Sequence, residues 1–336
     1  GKGYKLDDSI EDEIENIIVR NLDLESLVTG DRLGKILEAE SDALSVYARF
    51  LIESTDLDLE GEKIVLDCAN GASYIVAKKV YESLGANIIS IGDDPNGTNI
   101  NDGIGSTHPE LLQHTVIDSG ASIGLAFDGD ADRLIAVDEK GRVIDGDKTI
   151  CICAKMLKDE GRLVNNKVTV TVMSNIGLHK YLESIDCEID TTQVGDRYVL
   201  ESMLRTGCVL GGEQSGHIIF RDKTTTGDGI LSSLQLVRAI QSSGKKASEV
   251  ADEIRIYPQV LVNAKVRNDN KDAYQYDKSI QKAIKAVEKK MDGTGRVLIR
   301  PSGTEPLVRV MLEGENEDSI AVLARGLADM MTRKFS

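Results

Sequence analysis

The chain has 336 residues, a net charge of −16 and an aromatic content of 4%, with no tryptophan. This length predicts two or three domains. The composition argues against nucleic-acid binding, because duplexes need a basic surface and single strands need aromatic stacking platforms. The sequence shows no secretory signal and no apolar segment long enough to cross a bilayer, so no membrane partner is expected. A small anionic substrate is compatible with this charge if arginines gather at its site.

The five cysteines are odd in number and form no C-x-x-C pair. Most of them lie within apolar runs, which predicts reduced thiols in a core and a cytoplasmic chain. They are Cys68, Cys151, Cys153, Cys187 and Cys208.

The first predicted elements are two helices, over residues 8–18 and 41–53. The first helix has an acidic first turn, and nothing before it in the sequence would cover its apolar face. Either it docks on a later domain, or the chain begins inside a larger protein.

Two similar α/β units follow, each with the order strand, helix, strand, helix, strand and then a polar motif. The first unit is predicted at 63–68, 75–84, 87–91, 108–119 and 122–127. The second is predicted at 167–172, 178–184, 187–194, 196–205 and 208–210. Ligands of open α/β sheets bind beyond the carboxyl ends of the strands, and both polar motifs begin there. The C-terminal part has an α+β pattern instead, with strands at 259–266, 296–299 and 307–312 and helices at 279–291 and 318–331.

Residues 127–133 read FDGDADR and place three carboxylates, Asp128, Asp130 and Asp132, on alternate positions. In an extended segment such side chains point the same way, about 6.5 Å apart. Each neighbouring pair would repel by about 2.5 kcal/mol at an effective dielectric of about 20, so a cation is expected on that face. Three oxygen ligands suit Mg²⁺, which commonly pairs carboxylates with a phosphate oxygen.

Two other interpretations of this motif are weaker. With Glu139, the aspartates occupy positions 1, 3, 5 and 12 of an EF-hand calcium loop, but position 6 of that loop needs glycine and is Arg133 here. The flanking segments also have the pattern of strands. A solvated acidic turn would not explain why the motif follows a buried strand.

Residues 212–217 read GEQSGH and offer a carboxylate, an amide, a hydroxyl and an imidazole, on Glu213, Gln214, Ser215 and His217. Alternate polar groups with little bulk between them suit the hydroxyls of a sugar ring. The other interpretation is a glycine-rich strand exit with incidental polar residues. The matching position in the repeat favours a sugar-binding role.

Residues 300–306 read RPSGTEP. The guanidinium of Arg300, the hydroxyls of Ser302 and Thr304 and the open backbone N–H of Gly303 can bind a phosphate, with Arg309 as a second cation. The alternative is a rigid hairpin loop punctuated by prolines.

Two further motifs are predicted to be helix starts. Ser106 and His108 have the residue types of a catalytic pair, but Thr107 and Glu110 are spaced as a capping box for the next helix. Asp228 is predicted to cap the helix that follows it.

The three motifs, in this order and spacing, resemble those of the α-D-phosphohexomutase superfamily. DGDADR resembles its metal loop, GEQSGH its sugar loop and RPSGTEP its phosphate loop. The last two, with residues 99–110 and 307–311, are most similar to the bacterial branch that acts on glucosamine phosphate. The resemblance covers essentially the whole chain.

The resemblance implies an α/β fold with two related α/β/α sandwich domains, each with a mixed sheet, a C-terminal α+β domain and an N-terminal remnant of a third α/β/α domain. The implied boundaries are 1–40 for the remnant, 41–145 for the domain with the metal loop, 146–256 for the domain with the sugar loop and 257–336 for the phosphate-binding domain. The last domain is expected to close over the substrate.

The implied activity is an isomerase that interconverts glucosamine 6-phosphate and glucosamine 1-phosphate for amino-sugar nucleotide and cell-wall precursor synthesis. A phosphoserine donates its phosphoryl group, glucosamine 1,6-bisphosphate forms, and one phosphate returns to the serine. Mg²⁺ on the three aspartates binds the serine phosphate. Arg133 lies beside the transferring group and His217 carries a proton. The implied substrate-binding residues are Glu213, Ser215, Arg197, Arg300, Ser302, Gly303, Thr304 and Arg309.

The superfamily's phosphoserine lies in a T/S-x-S-H-N-P loop of the first domain, and the 336 residues contain no such loop. The stretch from Gly3 to Leu6 resembles the sequence just after that loop. The resemblance therefore implies that most of the first domain is missing and that this chain is inactive alone. The expected partners are a phosphosugar, the missing N-terminal domain and a second copy in a homodimer.

Three alternatives stay open. A phosphomannomutase or phosphoglucomutase of the same superfamily would be separated by competing assays with the three sugar phosphates. A phosphosugar- or metal-binding module without chemistry is favoured if no serine loop exists upstream. A metal-dependent phosphatase is less well supported, because no nucleophile or water-activating histidine is evident near the acids.

Overall fold

The computed structural model describes residues 3, 5–6, 8–19, 30, 33–35, 42–291, 293–302 and 305–336. The chain divides into two compact units. Unit 1 consists of Gly1–Met173 and Cys187–Asp252, and unit 2 consists of Ser174–Asp186 and Glu253–Ser336. In the described ranges, no helix is long and apolar enough to span a membrane.

Unit 1 begins with two helices at the predicted places, α1 (Asp8–Val19) and α2 (Ala43–Glu53). The side chains of α1 described by the structure are exposed, including Ile10, Ile14 and Ile17. Most of the predicted N-terminal remnant, at 1–40, lies outside the described residues.

The first sheet of unit 1 has the strand order β2-β1-β3-β4-β5. Its first three strands are parallel, and the last two are antiparallel to their neighbours. The strands are β1 (Lys63–Asp67), β2 (Asn87–Ile91), β3 (Ile123–Phe127), β4 (Leu134–Asp138) and β5 (Val143–Ile144), and the helices between them are α3 (Val76–Ser83) and α4 (Glu110–Ser119).

The second sheet of unit 1 repeats this topology, with the order β7-β6-β8-β9. As in the first sheet, the strand that comes first in the sequence (β6) lies between the second (β7) and the third (β8) and is parallel to both. The fourth strand (β9) is antiparallel to β8. The elements are α5 (Gly146–Asp159), β6 (Lys167–Thr171), α6 (Ile176–Ser184), β7 (Glu188–Thr192), α7 (Asp196–Thr206), β8 (Leu210–Gly212), β9 (Ile218–Phe220), α8 (Gly229–Ser243) and α9 (Ala247–Asp252). The predicted repeat is confirmed, and α6 falls in unit 2.

Helix α8 joins the two sheets of unit 1, because it contacts β3 and β4 of the first sheet and β9 of the second. It begins at the predicted cap, where the Asp228 carboxylate accepts a hydrogen bond from the N–H of Leu231. Helix α5, which packs on α8, has no predicted counterpart. Its central residues, Ile150 to Ala154, are buried in succession, whereas Lys155 and Asp159 are exposed. A short unbroken apolar run of this kind does not distinguish a buried helix from a buried strand by its periodicity. All five cysteines are buried, and none of them is in a disulfide, as predicted.

The capping box predicted before α4 is wrong. The helix begins after Pro109, whose position makes no side-chain capping hydrogen bond, and Thr107 is exposed. Ser106 is buried whereas His108 is exposed, and no hydrogen bond between the two is found in the described part of the chain.

Unit 2 is an antiparallel sheet covered by helices, as predicted for the C-terminal part. Its strands, in the order β10-β12-β11, are β10 (Gln259–Lys265), β11 (Arg296–Pro301) and β12 (Leu307–Glu313), and its helices include α10 (Lys278–Met291) and α11 (Glu317–Phe335). Apolar side chains of both helices and the sheet form one core, for example Ile280, Val310 and Leu327.

Helix α6 is bound into unit 2 by two polar side chains. The fully buried Glu313 carboxylate accepts hydrogen bonds from the N–H of Ile176 (3.1 Å) and from Nε of Arg296 (2.7 Å). Burial raises the pKa of Glu313, and the Arg296 charge opposes that rise. Asn175 exchanges hydrogen bonds with the backbone of Tyr257. These contacts explain why a helix from the second α/β repeat belongs to unit 2.

Gly216 tests how tightly the two repeats of unit 1 fit together. A Cβ on Gly216 would lie 2.2 Å from the carbonyl oxygen of Leu134, at a φ of +94°. Gly207 is the matched control, because its φ is +80° but a Cβ there meets nothing within 4 Å. We expect Gly207→Ala to cost about 1–2 kcal/mol for the left-handed backbone alone. Gly216→Ala should cost about 1–3 kcal/mol more, because the added methyl overpacks against backbone. Urea unfolding of both variants measures the difference, and equal losses would contradict the prediction.

Candidate functional site

The acidic motif follows β3 directly, but it forms a turn instead of the extended segment predicted above. Ala131 has a φ of +61°, in the left-handed region. Its N–H donates to the carbonyl oxygen of Asp128 at 3.0 Å. The extended geometry predicted for this motif is therefore wrong. We call residues 128–133 the metal loop.

The turn brings the first and last aspartates together around one guanidinium. Nε of Arg133 lies 3.9 Å from a carboxylate oxygen of Asp128 and 3.9 Å from one of Asp132. Burial and the nearby charge of Asp132 raise the pKa of Asp128. Asp130, the middle aspartate, is exposed on the same turn.

The carboxylate oxygens of the metal loop suit a hard cation that takes only a few of its ligands from the protein. The described residues contain no group of three or more histidine, cysteine, aspartate or glutamate side chains arranged to hold a metal ion. They do contain the close pair Asp128 and Asp132, whose repulsion a cation would relieve. Mg²⁺ is commonly held by only one or two carboxylates, with waters and a phosphate completing its shell.

The polar motif of the second repeat occupies the equivalent place, directly after β8. We call residues 213–217 the sugar loop. Oε1 of Glu213 accepts a hydrogen bond from the N–H of Gly195 at 2.9 Å, and Ser215 is exposed. The two loops meet within unit 1: the N–H of Leu134 donates to Gly216, and Arg133 forms a β-bridge with His217.

His217 is the side chain that joins the two loops. Its ring is buried, and Nδ1 lies 3.1 Å from a carboxylate oxygen of Asp132. On the other side of the ring, the N–H of Gly227 donates to Nε2 at 3.1 Å. The structure thus places both ring nitrogens of His217 against protein groups.

Arg197 lies at the start of α7, where its Nε donates to Glu201 on the same helix at 3.0 Å. Its neighbour Asp196, which is not among the predicted site residues, pairs with Lys5 and has an oxygen 3.7 Å from Nε2 of His217. Burial alone would raise the pKa of Asp196, but the hydrogen bond and charge of Lys5 and the N–H of Arg197, with the nearby His217, together lower it. An acid in a first helical turn is common, so the sequence carries no signal for this position.

The phosphate motif lies in unit 2, between β11 and β12. Arg300 and Arg309 stand directly opposite each other in the antiparallel register, so their side chains share one face of the sheet. The hydroxyl of Ser302, which is buried, accepts a hydrogen bond from the N–H of Glu305 at 3.2 Å. The predicted site residues Gly303 and Thr304 lie outside the described residues. Two like charges on adjacent strands favour an anion beside them, although Glu305, 3.5 Å from Arg309, already offsets part of this charge.

Three family models match the chain in sequence order. Residues 45–141 match the phosphoglucomutase/phosphomannomutase alpha/beta/alpha domain II, and 145–257 match domain III of the same family. Residues 261–330 match its C-terminal domain.

A phosphoglucosamine mutase of Clostridium novyi (strain NT) is 52% identical over 332 residues, covering 99% of this chain and 74% of that protein. A second, from Thermoanaerobacter sp. (strain X514), is 53% identical over 334 residues with the same coverage. The chain therefore belongs to the phosphoglucomutase/phosphomannomutase family, whose members are isomerases, and within it to the phosphoglucosamine mutases.

Solved structures show the same fold. A phosphoglucomutase/phosphomannomutase family protein from Burkholderia thailandensis has a TM-score of 0.76 at 20% identity, over 99% of this chain and 72% of that one. An N-acetylphosphoglucosamine mutase of Aspergillus fumigatus, solved in complex with GlcNAc-6P and magnesium, has a TM-score of 0.71 at 21% identity, over 86% of this chain and 65% of that one. A variant of the fungal enzyme was solved with glucose 1,6-bisphosphate.

The facing arginines of unit 2 give a prediction about stability without any ligand. Like charges directly opposite each other in a sheet are destabilising, so Arg300→Gln should raise the free energy of unfolding by about 0.2–1 kcal/mol. The gain should shrink as salt is added, because salt screens the repulsion. Arg325→Gln, at an exposed position of α11, is the control and should change little. Urea unfolding at low and high salt checks this, and a loss of stability in the Arg300 variant at low salt would contradict it.

Proposed function

We propose that the chain supplies the metal-binding and sugar-binding parts of a site that interconverts glucosamine 6-phosphate and glucosamine 1-phosphate, with its metal loop and sugar loop acting on one substrate. The observation that carries the proposal is the contact between these loops, made where Asp132 meets His217 at 3.1 Å. The loops follow equivalent strands of two repeats, at the sheet edge where α/β proteins bind ligands. The names of the curated relatives support glucosamine phosphate as the substrate.

In this proposal Asp128 and Asp132 hold Mg²⁺ on the metal loop, and Asp130, exposed on the same turn, completes the protein ligands. When bound, the ion neutralises phosphate charge as the phosphoryl group transfers. The guanidinium of Arg133 already balances this acidic pair. Its Nε is buried without a hydrogen-bond acceptor, so it can donate to a phosphate oxygen.

Glu213 and Ser215 are proposed to hold sugar hydroxyls. Glu213 is oriented by the N–H of Gly195, which uses one carboxylate oxygen and leaves the other for a hydroxyl donor. Ser215 is exposed, as a ligand-binding hydroxyl must be. Arg197 is a weaker candidate, because its Nε already pairs with Glu201.

The phosphate that does not react is proposed to bind in unit 2. Arg300 and Arg309 would each donate to it, since a guanidinium can bind phosphate through two parallel N–H groups. Ser302, Gly303 and Thr304 complete the proposed set. An anion between the two guanidinium groups converts their repulsion into two favourable ion pairs.

The transferred group is proposed to come from a phosphoserine that is not among the 336 residues. A sugar hydroxyl oxygen attacks its phosphorus, the P–O bond to the serine breaks, and glucosamine 1,6-bisphosphate forms. The freed serine oxygen then takes the other phosphoryl group, which regenerates phosphoserine and releases the isomeric monophosphate.

Metal binding is tested by calorimetry with Mg²⁺. Asp128→Asn removes one charge from the close acidic pair and should weaken Mg²⁺ binding at least about tenfold, a loss of about 1.4 kcal/mol. Asp118→Asn, at an exposed position of α4, is the control and should bind as the wild type does. Unchanged affinity in the Asp128 variant would remove the metal assignment.

Substrate preference and the source of the phosphoryl group are tested with the same chain. We expect glucosamine 6-phosphate to bind more tightly than glucose 6-phosphate or mannose 6-phosphate in competition calorimetry. We also expect no isomerisation when glucosamine 1,6-bisphosphate is added to these 336 residues, because they contain no T/S-x-S-H-N-P loop whose serine could accept a phosphoryl group. Tighter binding of either other sugar would favour a phosphoglucomutase or phosphomannomutase, and turnover would overturn the external phosphoserine.

A further inference from the structure

We propose that His217 is a positioning residue, which orients Asp132 in the metal loop through an Nδ1–H hydrogen bond, and that it does not carry a proton to or from the sugar. The proposal rests on the proposed function, because it needs Asp132 to be a metal ligand. It replaces the proton-carrying role that the family resemblance implies for this histidine.

The imidazole ring of His217 is enclosed by protein. His217 is only 3% exposed. A Cβ on Gly227 would lie 2.4 Å from its Cε1, so the backbone there lies directly against the ring and no side chain would fit. A group that exchanges protons with a substrate needs an edge within hydrogen-bond reach of that substrate. Here the backbone of Gly227 occupies the edge that Nε2 would offer.

The two hydrogen bonds of the His217 ring show which nitrogen carries the proton. A neutral imidazole has one donor nitrogen and one acceptor nitrogen. The N–H of Gly227 points to Nε2 at 3.1 Å, so Nε2 must be the acceptor. The proton therefore sits on Nδ1, which donates to the Asp132 carboxylate at 3.1 Å. In this tautomer both nitrogens are satisfied, and the Asp132 oxygen is fixed in direction.

Asp196 offers the competing arrangement, with a proton on Nε2. Its carboxylate oxygen lies 3.7 Å from Nε2, which is beyond hydrogen-bond range. That same oxygen is the one that pairs with Lys5. A cavity of about 410 Å³ beside the ring is lined by Asp196 and His217 among other residues. A ligand in this cavity could not pass a proton to Nε2, because the lone pair of that nitrogen already accepts the N–H of Gly227.

The backbone around His217 fixes the same alignment. The N–H of Leu134 donates to Gly216 at 3.0 Å, and the N–H of Gly229 donates to Ala131 at 2.8 Å. The metal loop is thus held from both sides by segments of the second repeat. Metal-bound groups are commonly oriented by such partners behind them, and losing one typically weakens metal binding by about 10–100-fold.

The test compares two replacements of His217 by Mg²⁺ calorimetry on the full chain. Asparagine places an amide N–H near the position of Nδ1 and can keep the bond to Asp132. Glutamine places its amide near the position of Nε2 and cannot. We expect His217→Gln to weaken Mg²⁺ binding about 10–100-fold and His217→Asn to restore most of that loss. His114→Gln, exposed on α4, is the control and should bind normally.

The outcomes separate this inference from the proposed function. If the wild type and His217→Gln bind Mg²⁺ equally, the positioning role is overturned while the metal site stands. If the wild type binds no Mg²⁺, the metal assignment fails and the positioning role fails with it. Thermal unfolding of each variant identifies a glutamine variant that has lost its fold, in which case the asparagine variant alone decides: near-normal affinity supports the role and a large loss overturns it.

A spectroscopic measurement tests the tautomer without metal or substrate. In the chain labelled with ¹⁵N-histidine, long-range ¹H–¹⁵N correlation spectra distinguish a protonated Nδ1 from a protonated Nε2. We expect the four-histidine spectrum to contain an Nδ1–H tautomer that disappears in His217→Asn and persists in His114→Gln. An Nε2–H tautomer, or a doubly protonated ring, at His217 would overturn the proposal.

Discussion

Two carboxylates of like charge, Asp128 and Asp132, are held together at the end of β3, and the arrangement of unit 1 around them follows from that constraint. Arg133 lies between them and offsets part of the repulsion. The buried His217 supplies a hydrogen bond to the second carboxylate, and it comes from the other repeat. The loop conformation of the first repeat is therefore maintained by the second, which explains the close backbone packing at Gly216 and Gly227. A protein keeps such a pair of acids where a cation or a positively charged transition state will use them.

The loops that follow the equivalent strands β3 and β8 carry different chemical groups. After β3 the chain presents negative charge, and after β8 it presents a mixture of carboxylate and hydroxyl groups in an exposed turn. The first sheet has a fifth strand, β5, but the other strands are arranged alike in both sheets, so the chemical contrast between the two strand ends lies in the residues of the loops. Helix α8 contacts both sheets, and its capped start lies beside the metal loop through the bond from Gly229 to Ala131. This helix gives the two loops a common rigid support.

The sequence predicts most elements of the fold, because alternation and amphipathic periodicity report burial directly. The strands, the repeat and the cap at Asp228 are confirmed. The periodicity does not reveal α5, because the unbroken apolar run Ile150 to Ala154 could equally be a buried strand. The membership of α6 in unit 2 depends on the buried Glu313, whose partners are 137 and 17 residues away.

In the site, the positions of the loops follow from strand ends. The turn at Ala131 does not, since an alanine with positive φ has no sequence signature. The domain boundaries and the roles of the individual site residues stay predictions.

Unit 2 is not one continuous stretch of sequence. It takes Ser174–Asp186 from the middle of the second repeat, and Asn175 and Ile176 of that stretch satisfy Tyr257 and Glu313. A piece cut at the family boundary near residue 257 would leave a carboxylate inside the protein with one of its two donors gone, which is strongly unfavourable. A C-terminal piece expressed alone is therefore expected to be stable only if residues 174–186 are supplied with it, although they lie far away in the sequence.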